Sequence, residues 1–289
     1  MCILFNEVLI HPHHNYTSIM RSMSQKSRQP RPSRPSRPAR RSRSKRSAGW
    51  VPDQHGAWFM VTIPPLTALA LNPTWTGLAV TATWLLGYFA FFAVSVWLRS
   101  RRQRRHLTPA ATYTALTAVA GCITLLADVS LLTWVTLIAP LAAIAIWETY
   151  RRRPRSLLSG VSTVLAASLM VPIIAGPSPK AWAIAAIYAG YFVGTVPYVK
   201  TMIRKRGNRR WLIGSVTYHV LITAAAIIGW LLLHDRDLIS ISVPIVAIGL
   251  LIRSFAMPIS GARRAKPWTP KQVGILDAVF GLAVVLAAW

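Results

Sequence analysis

Carboxylates are the scarcest groups in this sequence. Seven Asp and Glu stand against 33 Lys and Arg, a formal net charge of +26, and charged residues make up only 14% of the 289. Soluble domains carry roughly 25%, so the deficit excludes an ordinary water-facing surface over much of the chain. A mean hydropathy of +0.42 points the same way. Cysteine is nearly absent too. Cys2 and Cys122 stand far from any metal-ligand spacing, and Cys122 falls inside an apolar run. Neither a disulfide framework nor a zinc site is indicated, and no cofactor or metal is expected.

What the chain does have is unevenly placed. Residues 1–49 form a basic tail, reading QKSRQPRPSRPSRPARRSRSKR between Ser24 and Ser47. Repeated Arg-Pro and Pro-Ser steps with no apolar periodicity cannot bury enough surface to offset ordering entropy, so disorder is expected here. No aromatic residue interrupts the run to stack on bases, which sets anionic lipid headgroups ahead of nucleic acid as its partner. The first 22 residues resemble neither tail nor core, and Met20 and Met23 are alternative starts.

Beyond Trp50 the chain divides into apolar runs separated by short polar breaks. Nine spans are expected, at 54–71, 75–98, 109–127, 129–148, 156–176, 181–201, 211–233, 238–258 and 272–289. About 20 residues are needed to cross hydrocarbon as a helix; the first and last are short, and Pro64-Pro65 should bend the first. Asp128 and Ser130 supply the turn between spans three and four. The fold class is therefore an all-α polytopic transmembrane bundle.

The loops alternate in charge. Segments 99–106, 151–155, 200–210 and 259–271 hold five, four, six and four Lys or Arg, whereas the opposite connections hold only Lys180 and Arg236. By the positive-inside rule the basic loops and the N-terminus lie in the cytoplasm of a bacterial cell and the C-terminus lies outside. Trp50, Trp75, Trp97, Trp147, Trp182, Trp211, Trp268 and Trp289 fall near span ends, as an interfacial belt requires.

Polar groups inside a membrane are costly and become the default candidates for function. They are Gln54 and His55 opening span one, Glu148 closing span four, Lys200 and Arg204 leaving span six, His219 in span seven, Arg253 in span eight and Asp277 in span nine. All belong to the cytoplasmic half of this topology, which suggests a polar cavity open to the cytoplasm for an anionic or amphipathic ligand. Each has a plainer reading. Glu148 can pair with Arg152 one turn on, Lys200 and Arg253 can snorkel, and His219 can be a satisfied packing residue. Tyr188, Tyr191, Thr195 and Tyr198 recur at helical spacing on one face, adding Tyr191 and Tyr198 to the ligand candidates. Gly190 and Gly194 form a GxxxG that admits a close neighbour. At about 1.5 Å per residue Arg253 and Asp277 lie at the same depth, roughly 7.5 Å from the basic boundary, so they should pair.

The stretch PDQHGAWFM at 52–60, followed by Pro64-Pro65, resembles the opening of the YwiC-like family of bacterial membrane proteins. RRPRSLLSG at 152–160 and YFVGTVPYVKTMIRKRGN at 191–208 are similar to further family blocks. Gln54 stands where the family pattern has Glu. The resemblance covers about 50–289 and implies architecture rather than a reaction. A more distant likeness is to UbiA-type prenyltransferases, whose aspartate-rich Mg²⁺ motifs sit at the cytoplasmic ends of helices two and six. Here VSVWLRSRRQRR (94–105) and YVKTMIRKRG (198–207) occupy those places without an aspartate. Magnesium needs such oxygen ligands, so that chemistry does not carry over.

Three functions remain: a non-enzymatic transport or binding protein, a metal-independent lipid or isoprenoid transferase using Lys200 and Arg204, and a structural partner in a membrane complex. A multi-pass membrane protein of unknown activity ranks above all three, since no transporter repeat and no general acid–base pair is readable. The topology is open to direct measurement. A reporter active only outside the cytoplasm should be silent when fused after Arg105, Arg153, Arg206 or Lys266, and active after Pro177 or Asp235. Activity in the first group would overturn the assignment.

Overall fold

The computed structural model describes residues 49–52, 55–153, 156–263 and 268–289. The expected basic tail lies outside them except for Gly49. Among the described residues every regular element is helical. Nine α-helices follow one another in the described residues: α1 His55–Leu71, α2 Trp75–Arg99, α3 Leu107–Ala127, α4 Leu132–Tyr150, α5 Leu157–Ala175, α6 Pro179–Ile203, α7 Arg209–Leu233, α8 Ser242–Arg263 and α9 Pro270–Ala287. Eight are long and apolar enough to cross a membrane, while α1 is shorter, at 17 residues. It runs through Pro64 and Pro65, whose rings are fully buried.

Short polar side chains start these helices by accepting their free backbone N–H groups. Thr74 accepts from Gly77 N at α2, Ser156 from Ser159 N at α5, and Ser178 from Ala181 N at α6. Asn208 accepts from Arg210 N and Trp211 N at α7, and Thr269 with Gln272 makes a capping box at α9. Asp128 provides the expected turn: its carboxylate accepts from Ser130 N at 3.0 Å and Ser130 Oγ at 2.6 Å. One boundary moves. The eighth helix begins at Ser242 and not at 238, because Asp237 adopts a left-handed φ of 53° and Ser240 turns the chain, accepting from Ser242 N.

Two of the basic loops meet at one end, where Arg206 Nη2 donates to the Trp268 carbonyl at 2.9 Å. At the other end Lys180 Nζ donates to the carbonyls of Asp237 and Trp289, tying three loop and terminal segments together. Burial is graded from the centre outward. In α5, 56% of the apolar window is buried, against 6% in α4. Leu126, Ile146, Leu221 and Leu232 are exposed on the outer helices, as lipid-facing side chains would be.

The centre is α6. Its tyrosine face makes hydrogen bonds to three other helices: Tyr188 Oη with Thr67 Oγ1 of α1 at 2.7 Å, Tyr191 Oη to the Asp277 carbonyl of α9 at 2.8 Å, and Tyr198 Oη to Met257 Sδ of α8 at 2.9 Å. Such interhelical bonds contribute on average about 0.6 kcal/mol each inside a membrane, so the tyrosines orient α6 more than they hold it. Its glycine face packs on α7. A Cβ at Gly194 would stand 2.9 Å from Tyr218 Cε1 and 3.2 Å from His219 Nε2, while Tyr218 Oη donates to the Gly190 carbonyl. A second close approach joins α9 to α1 and α6, where a Cβ at Gly281 would meet Phe59 at 2.6 Å and Tyr191 Oη at 3.0 Å.

Gly194 therefore owes its identity to packing, and substitution separates it from glycines that merely sit in helices. Gly194→Val should destabilise by about 1–3 kcal/mol, the range for overpacking a closed core. Gly274→Ala, with nothing within 4 Å of its Cβ, should be neutral or slightly stabilising, since Ala costs less in a helix. Thermal melts of the purified protein in lipid nanodiscs would show the difference.

Candidate functional site

The ion pair expected from depth matching is formed. Arg253 Nη1 on α8 donates to Asp277 Oδ1 on α9 at 2.6 Å. The two side chains are 2% and 19% exposed, so this pair is withdrawn from solvent rather than snorkelling. Two aromatic faces flank the guanidinium: Tyr198 with its centroid 4.1 Å from Cζ, and Phe280 at 4.9 Å. Desolvated cation–π contacts of this kind are worth up to about 2 kcal/mol. They help explain why a charge is tolerated there.

The pairing uses one corner of the guanidinium. Arg253 Nε and Nη2 are buried and have no hydrogen-bond partner among the described residues. These two nitrogens form one edge of the planar fork, the arrangement that grips a carboxylate or phosphate with two parallel bonds. Leaving a buried donor unpaired costs about 1–3 kcal/mol, more where it is charged. Two hydroxyls on neighbouring helices share this condition: Thr195 Oγ1, between the two tyrosines on α6, and Ser215 Oγ on α7. One turn from Ser215, His219 is buried with Nδ1 2.7 Å from the Ser215 carbonyl. That contact fits a packing histidine.

Four of the sequence candidates thus meet in one place: Tyr191, Tyr198, Arg253 and Asp277. His219 adjoins them through Gly194. The others lie elsewhere. Lys200 stands with Nζ 5.2 Å from the Trp211 ring centroid, and Arg204 is exposed just beyond α6. Glu148 is buried on α4, whose main contacts are α5 and α2. The expected Glu148–Arg152 pair is not made, because α4 ends at Tyr150 and Arg152 turns left-handed at φ 59°. A helical spacing rule does not apply across a helix end. Gln54 and the His55 side chain lie outside the described residues. Sequence reading missed Phe280 and Ser215, although both follow the helical period, three residues from Asp277 and four from His219.

Removing either charge alone would strand its partner, at a cost of about 3–5 kcal/mol for a buried pair. Arg253→Asp and Asp277→Arg should each sharply lower folded yield. The double exchange should restore part of it. Recovery stays incomplete because Tyr198 and Phe280 flank a guanidinium at position 253 only. If the double exchange recovers nothing, attraction between the two charges is not what stabilises this site.

The model of the YwiC-like protein family matches residues 51–175, from the start of the helical region to the end of α5. The chain is 28% identical over 226 residues to a Bacillus subtilis protein named "Uncharacterized protein YwiC", covering 70% of this chain and 91% of that one. It is 22% identical over 182 residues to an "Uncharacterized protein" of Haemophilus influenzae, covering 59% of this chain and 74% of the relative. No solved structure matches significantly. Residues 51–175 thus match the YwiC-like family, and the chain is similar to the Bacillus subtilis relative over most of its length.

Proposed function

We propose that this chain is a multi-pass protein of the bacterial plasma membrane that binds an anionic ligand at Arg253. The observation that carries this reading is the half-used guanidinium. Asp277 engages Nη1, while the Nε–Nη2 edge is buried and unpaired among the described residues. A purely structural ion pair would gain most by satisfying both edges, since a partly satisfied buried network is unfavourable. An oxyanion on the unpaired edge would complete the hydrogen bonds of the guanidinium.

The basic loops then serve orientation, facing the cytoplasm and its anionic headgroups. Catalysis is less well supported than binding. Among the described residues Asp277 is already engaged by Arg253 and Glu148 is on α4, so these two do not assemble an acid–base pair at one reacting centre.

The test keeps the fold while removing the charge. In Arg253→Gln/Asp277→Asn the pair becomes neutral amides of similar shape. Native mass spectrometry of protein released from nanodiscs should show an anionic small molecule on the wild type. The neutral variant, checked for folding by its thermal melt, should have lost it. Equal retention by both would place the ligand elsewhere, and the reading would fail.

A further inference from the structure

Beside the ion pair, α6, α7, α8 and α9 line a half-open cavity of about 270 Å³. Its walls carry no charged side chain, and many are alanine, which leaves room between otherwise close helices. The cavity and the polar cluster occupy the same helix faces. On α8, Val243, Ala247 and Leu250 line it, and the next step of three residues is Arg253. On α9, Val284 lines it, and steps of four and three lead to Phe280 and Asp277. On α7, Ile222 lines it, and steps of three and four lead to His219 and Ser215. Residues at these spacings stack on one side of a helix. Tyr191 belongs to both regions, lining the cavity while its hydroxyl bonds the Asp277 carbonyl.

Along α7, α8 and α9 the apolar lining of the cavity is thus followed, at helical spacing, by residues of the polar cluster. Leu250 is about 4.5 Å along the axis from Arg253, and Val243 about 10 Å further. We infer that the site takes a single-chain anionic amphiphile, its oxyanion on the Nε–Nη2 edge of Arg253 and its hydrocarbon tail in the cavity. This rests on the anion-binding reading above and adds the tail. A small hydrophilic anion would leave the apolar part unused. A neutral hydrocarbon would leave the guanidinium edge unpaired.

Thermal shifts of the full chain in phosphatidylcholine nanodiscs distinguish the parts. The probes are inorganic phosphate, decyl phosphate and decanol. Decyl phosphate should bind the wild type at least about tenfold more tightly than inorganic phosphate, because each buried methylene adds roughly 0.8 kcal/mol. Decanol should be far weaker. Ala226→Phe, which fills the cavity away from the cation, should abolish the advantage of the tail and keep the response to phosphate. A wild-type series of hexyl, decyl and hexadecyl phosphate supplies an independent readout if that variant folds poorly; affinity should rise and then level off as the cavity fills. Equal binding of decyl and inorganic phosphate would overturn the tail assignment and leave anion binding intact. Absence of any response to either phosphate would sink the anion-binding reading itself. Decanol matching decyl phosphate would overturn the placement of the head on Arg253.

Discussion

Hydrocarbon offers no hydrogen bonds, and the architecture of this chain follows from that. Every backbone N–H and C=O inside a bilayer must find its partner within the protein, which restricts the spanning parts to helices. Turns are displaced to the ends, where Thr74, Ser156, Ser178, Asn208 and Thr269 cap what the helices leave open. Side chains obey the same constraint. Among the described helices the buried hydroxyls of Thr81, Thr149, Ser162 and Ser168 each bond a carbonyl four residues back in their own helix. A few buried groups lack a partner among the described residues, Ser95 Oγ, Trp97 Nε1, Thr195 Oγ1 and Ser215 Oγ among them, and the incompletely paired guanidinium stands out from these because it carries a charge.

Much of the fold was legible because the physics is one-dimensional. Apolar length gave the nine helices with boundaries mostly within a few residues, and loop charge separated the two ends. Asp128 was identifiable as a turn because a single apolar run of that length has no place in a bilayer. The errors came where local geometry overrides spacing. Leu238–Ile241 is apolar enough to read as helix, yet Asp237 and Ser240 bend it away. Arg152 has the right spacing for Glu148 but lies beyond the helix end.

The site divides in the same way. Arg253 and Asp277 were found from depth alone, since opposite charges at one level in hydrocarbon have few alternatives. The tyrosine face was visible as a period. Which helix each tyrosine would reach was not, because a period fixes a face and leaves its neighbour open. Phe280 and Ser215 were invisible for a different reason: a phenylalanine or a serine in a membrane helix is ordinary until a cation or an orphaned hydroxyl gives it a role. The unused edge of Arg253 is a fact of three dimensions only.

The glycine at 281 has a mechanical meaning. It lets Phe59 lie directly against the backbone of α9, one turn from the aspartate. Phe59 also meets Phe192 of α6 edge to face at 6.3 Å, so the ring is held between two helices of the ion-pair bundle. It is carried by α1, the helix whose opening residues hold the family's most recognisable block. Displacement of α1 along its axis would therefore transmit to α9 through a contact with almost no slack. Seen this way, α1 is a push-rod whose tip bears on the helix that holds the counter-charge, and the small residue beneath that tip is its bearing surface.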